Sequence, residues 1–124
     1  MESIARKLSA GDVTKAILAL YCLILSGCAT ESLYYWGEYE DLINQMYIKP
    51  GSADPATQIA KLKEDIGQAS TAGKLVPPGL HAHLGYMYFL QGDTHSAMLE
   101  FATEKKLFPE AATFVDGLMN RAEK

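Results

Sequence analysis

Three histidines and a knot of carboxylates are the residues in this chain best suited to chemistry: His81, His83 and His95, and Glu38-Glu40-Asp41. A metal site or an acid–base centre needs such groups to converge on one point. His81 and His83 are two apart within a stretch that reads as helix. They therefore point about 200° away from each other and share no ligand face. His95 lies near an expected helix start, with no Cys or paired carboxylate at ligand spacing. All three read as ordinary surface or boundary histidines. The acidic group heads a helix, where negative charge complements the helix dipole. The sequence holds no Gly-rich phosphate loop, nucleophile elbow or His-Glu-x-x-His pattern. These residues point away from an enzyme, and no metal and no cofactor is expected.

The cysteines belong to a different kind of chemistry. Cys28 closes the stretch Leu25-Ser26-Gly27-Cys28, and ahead of it runs an unbroken apolar segment, Ala16 to Leu25, preceded by Lys15 and by Arg6 and Lys7. A basic n-region, an apolar h-region and small residues at a cleavage point describe a secretory signal peptide. A membrane-spanning helix needs about 20 apolar residues, twice this run. A helix packed on a soluble core would show a polar stripe, and this one has none. The Leu-Ser-Gly-Cys ending resembles a bacterial lipobox. That resemblance implies cleavage before Cys28 and a diacylglycerol on its thiol, with acyl chains such as palmitate in the membrane. Cys22 would leave with the signal and Cys28 would carry the lipid, so neither a disulfide nor a thiolate metal site remains.

Removing residues 1–27 leaves a 97-residue chain, enough for one small domain. Its net charge is −5, because Arg6, Lys7 and Lys15 leave with Glu2 and Asp12. An acidic surface argues against nucleic acid and against anionic headgroups as ligands. Residues 28–35 form the expected lipidated tether. The stretch from Ala29 to Tyr35 reaches at most about 25 Å when extended, which holds the domain close to the membrane. Ala29 follows the cysteine where lipoproteins retained in the inner membrane often carry Asp. The resemblance therefore implies the periplasmic face of an outer membrane.

The elements of residues 36–124 all read as helices. Trp36, Tyr39, Leu42, Ile43, Met46 and Tyr47 recur at three- and four-residue steps up to Lys49-Pro50-Gly51. Asp54-Pro55 opens a second helix with a capping acid and a proline at the first helical position. Ile59, Leu62, Ile66 and Ala69 form its buried stripe, with Lys61, Lys63, Glu64 and Asp65 expected in water. Gly73 stops it, and Val76-Pro77-Pro78-Gly79 makes a turn. A third helix is apolar at every position from Leu84 to Leu90 except Gly85. Gly92-Asp93 turns the chain into a fourth helix, which Pro109 breaks. A fifth places Phe114, Val115, Leu118 and Met119 on one face.

Leu84, Gly85, Tyr88, Ala97, Phe101 and Pro109 fall at the spacing of a tetratricopeptide repeat running from Pro78 to Ala111. In that register Gly85 and Ala97 are small where two helices cross, and Leu84, Tyr88 and Phe101 fill the seam. His81 and Glu104 depart from the repeat, which has a large apolar residue and an Ala at their positions. Tyr86, Phe89 and Leu90 then point to the concave side, where such repeats resemble one another in binding peptides or helices. The whole chain after the signal also resembles a bacterial lipoprotein family known as domain of unknown function 4810. The residues that carry this are Gly27-Cys28, Tyr34-Tyr35-Trp36-Gly37 with Tyr39-Glu40, and Gly85-Tyr86-Met87. The resemblance implies an envelope assembly or secretion complex, with a lipoprotein like the curli secretion pore as a partner.

The reading is an all-α, tetratricopeptide-like domain of about five helices, held by lipid on Cys28. Its expected work is protein binding, as a scaffold or assembly factor, through Tyr86, Phe89 and Leu90. A self-associating structural subunit of the same complex and a regulatory subunit of a cell-wall enzyme are the alternatives.

Overall fold

The computed structural model describes residues 9–25 and 31–124, and Cys28 lies outside them. The chain divides into two units, with the boundary between Glu31 and Ser32. The described part of the first unit is one helix, α1 (Ala10–Leu25), whose Ile17, Leu18, Leu20 and Tyr21 are all exposed. No helix among the described residues is long and apolar enough to cross a membrane.

The second unit consists of two helical hairpins and a closing helix. α2 (Tyr39–Ile48) pairs with α3 (Pro55–Thr71), α4 (Leu80–Leu90) pairs with α5 (Thr94–Leu107), and α6 (Ala112–Ala122) follows a single 3-10 turn at Pro109–Ala111. The fold is all-helical, as the periodicities required. The one β-type pairing among the described residues is a lone parallel bridge between Tyr34 and Leu75.

That bridge falls within the stretch expected as tether. The N–H of Tyr35 donates to the Leu75 carbonyl at 2.9 Å, and the N–H of Leu75 donates to the Leu33 carbonyl at 3.1 Å. Backbone donors of this kind bind wherever acceptors are offered, so the packed chain starts at Leu33, ahead of the boundary expected at Trp36. Trp36 in turn precedes its helix. Gly37 takes φ +48°, a left-handed conformation that halts helical continuation, and α2 begins only at Tyr39. Trp36 stacks its indole on Tyr39 with ring centres 6.4 Å apart.

The local start signals of the second helix in each hairpin are obeyed. The Asp54 carboxylate accepts from the N–H of Thr57 at 3.0 Å, and the Asp93 carboxylate accepts from the N–H of Ser96 at 3.0 Å. The first helices have no such local cap. Their amides are met from across the hairpin. Asp65 of α3 accepts from the N–H of Glu38 at 2.9 Å, and Glu104 of α5 accepts from the N–H groups of Gly79 at 2.6 Å and Ala82 at 3.2 Å. The two hairpins thus repeat one design, for Asp65 follows Asp54 at the spacing by which Glu104 follows Asp93. Asp65 is therefore buried, not solvated, because four N-terminal amides of a helix need acceptors and a carboxylate also suits the positive end of the dipole. The departure of Glu104 from the repeat pattern has the same cause.

The core lies in two neighbouring clusters. Leu42, Ile59, Leu62, Leu80, Leu84 and Met87 join α2, α3 and α4, while Ala97, Phe101, Val115 and Ala122 join α5 to α6. Tyr88 packs against both. Gly85 sits where α4 and α5 meet closely: a Cβ there would lie 2.7 Å from the Phe101 ring and 3.0 Å from the Ala97 carbonyl.

Both α4 histidines are buried, against the expectation of surface or boundary positions. His81 Nδ1 lies 2.7 Å from Glu100 Oε2, and His83 Nε2 lies 2.8 Å from Gln58 Oε1. They face different neighbours, α5 and α3, as their two-residue spacing demanded. Each can be buried because a polar side chain on the facing helix satisfies it.

Candidate interaction groove

One face of the second unit is hollow. A groove of about 650 Å³ runs between α2 and α6, with α4 along its floor. The floor is the apolar side of α4, where Tyr86 and Phe89 lie half-buried with their rings 6.5 Å apart. These are one turn apart on the helix, so the sequence pattern places them together. Leu90 does not line the groove. It is the next residue after Phe89, turned about 100° around the helix, and stands half-exposed elsewhere.

The walls contain residues expected elsewhere. Tyr47 shares the helical spacing of Trp36, Tyr39, Leu42, Ile43 and Met46, but it is 83% exposed and lines the groove beside Met46. Leu42 alone of that stripe is fully buried. Phe114 was grouped with Val115, yet Val115 is fully buried and Phe114 is 63% exposed. The reason lies in two neighbouring stripes on α6. Val115 and Ala122 point into the core, whereas Phe114, Leu118 and Arg121, at three- and four-residue steps, line the groove. The second stripe is visible in the sequence, but periodicity alone does not say which stripe is covered.

Two polar groups sit at the floor and wall. The Tyr39 phenol is pushed up to about 12, chiefly by burial and then by the Glu104 carboxylate, so it stays a neutral hydroxyl. Its oxygen would lie 2.5 Å from a Cβ at Gly79, and Gly79 has φ +92°. Only glycine meets both demands. His83 is pulled down to about 4 by burial. Gln58 donates its amide to the Ala53 carbonyl at 2.9 Å, so its Oε1 must accept, and His83 must donate from Nε2. The imidazole is held as a neutral Nε2–H tautomer, 6.1 Å from the Tyr39 ring.

Fold and groove together define an all-helical hairpin domain that keeps one broad apolar face open. The chain belongs to the family described as Domain of unknown function (DUF4810), whose model matches residues 33–118. The match opens at Leu33, the first residue bonded to Leu75, and takes in Tyr86, Phe89 and Leu90 while ending before Arg121. No curated protein matches the chain, and no solved structure matches it.

Proposed function

We propose that this chain is a lipoprotein anchored through Cys28 to the periplasmic face of an outer membrane, and that its helical domain is a protein-binding scaffold or assembly factor in an envelope complex. The hairpins are read as tetratricopeptide-like, with the groove as the concave binding side. The observation that carries the reading is the open groove floored by Tyr86 and Phe89. A helix that is apolar all round must be covered all round. α4 has α3 and α5 on two sides, and the third side is the groove. Aromatic residues and Met are enriched in the centres of protein interfaces, which is the composition found here. The exposed apolar side chains of α1 support the signal-peptide part of the reading.

Phe89→Ala and Tyr86→Ala test the groove. Both residues are half-buried, so each should cost well under the ~3–5 kcal/mol of a fully buried Phe. Thermal melts should drop modestly, while co-purification of the envelope partner from membranes should be lost. Melts that collapse would put both rings in the core and remove the binding face.

Cys28→Ala tests the anchor. Two hydrophobic anchors suffice for stable membrane attachment, at about 0.8 kcal/mol per buried CH₂. The variant should accumulate as uncleaved precursor and fail to reach outer-membrane fractions. Normal cleavage with unchanged fractionation would rule out lipidation at this cysteine.

A further inference from the structure

We infer that the groove takes a segment of a partner polypeptide that presents apolar side chains to Tyr86 and Phe89 and a carboxylate to Arg121; this rests on the groove being the binding surface proposed above. The chain has 15 Asp and Glu against 11 Lys and Arg, for a net charge of −4. Among the described residues, none of those acids lines the groove, and the one formally charged side chain that does is Arg121. The sign of the groove therefore runs opposite to the sign of the molecule.

Arg121 is exposed and takes part in none of the ion pairs among the described residues, which are Lys61 with Glu38, His81 with Glu100 and Lys105 with Asp116. Lys61 and Lys105 thus have acids, whereas Arg121 has none among the described residues and is the cation that lines the groove. Any occupant that covers Phe89 and Leu118 strips water from the guanidinium. An unpaired buried charge is costly, so a purely apolar occupant would bind poorly. A carboxylate meets the planar fork of an arginine with two parallel hydrogen bonds, which no neutral acceptor matches. The other polar groups on the groove wall, Tyr39 and His83, are neutral, so Arg121 is the one groove group whose charge can pair with an acid. The net negative charge of the whole molecule also disfavours broadly acidic partners. The segment that fits is apolar with one well-placed Asp, Glu or chain-terminal carboxylate.

Selection of short random peptides displayed on phage, against the full-length chain in detergent, tests this without knowledge of the natural partner. Recovered peptides should combine large apolar residues with an acid. A synthetic copy of one should lose at least about tenfold in affinity for Arg121→Glu and keep most of it for Arg121→Lys. Replacing its acid by Lys should restore binding to Arg121→Glu. Since Arg121 is exposed, melting curves of both variants should match the parent. Recovered peptides without an acid, or binding indifferent to Arg121→Glu, would overturn the inference while leaving the groove reading intact. Binding indifferent to Phe89→Ala would overturn the groove reading itself. A library that yields no binder, or a dimer in native mass spectrometry that Phe89→Ala abolishes, would also overturn the inference, the latter by making a second copy the occupant.

Discussion

Gly85→Leu is expected to destabilise the domain by about 3 kcal/mol, the upper end of the range for overpacking a core. Even the first added carbon would lie 2.7 Å from the Phe101 ring, and Phe101 is fully buried, so the ring has nowhere to turn. The backbone carbonyl of Ala97 lies 3.0 Å from the same Cβ position and, being backbone, cannot move aside cheaply. The α4–α5 seam must open, and that seam is the largest helix–helix contact in the fold. For a domain of this size the melting temperature should fall by more than about 10 °C. Gly117→Ala is the paired control. It sits in α6 with nothing within 4 Å of a new Cβ, and should gain about 0.4–1 kcal/mol through the unfolded chain. Equal melting temperatures for the two variants would show that α4 and α5 do not cross at Gly85.

Acid should destabilise the domain through His83. In the unfolded chain this imidazole titrates near 6.5, and in the fold it is held near 4 by burial. Because the folded value is the lower one, the unfolded state binds the extra proton first. The contribution is complete above pH 6.5 and is lost progressively as pH falls from there towards 4. A shift of that size corresponds to about 3 kcal/mol. The groups facing the ring are Gln58 of α3 and Tyr39 of α2, and neither carries a charge that could stabilise the imidazolium. Denaturant melts at stepped pH should show a slope in this window that His83→Gln removes. A slope unchanged in that variant would assign acid sensitivity to other groups.

The sequence showed most clearly those features whose cause is local. Asp54-Pro55 and Asp93 mark helix starts because a side chain there reaches its own helix three residues on. Gly85 could be placed because a small residue at a repeat position implies a crossing. What stayed hidden has its cause on another helix. Asp65 looks like a solvent-facing acid, and Glu104 like a departure from the repeat, until the amides of Glu38, Gly79 and Ala82 are seen beneath them. His81 and His83 look like surface residues until Glu100 and Gln58 face them. The groove was half legible. Tyr86 and Phe89 share its floor as the spacing required. Tyr47, Phe114 and Arg121 were missed because a stripe facing a hollow has the same period as a stripe facing a core.

The cross-hairpin carboxylates also bear on the order in which the fold can assemble. α3 and α5 bring their own start signals, whereas α2 and α4 begin only where a neighbour supplies an acceptor. Helix initiation is the costly step of helix formation, so α3 and α5 can act as seeds and α2 and α4 are templated on them. The smallest cooperative unit is then a hairpin, not a helix. Amide exchange at Gly79 and Ala82 would report the integrity of α5 as directly as that of α4.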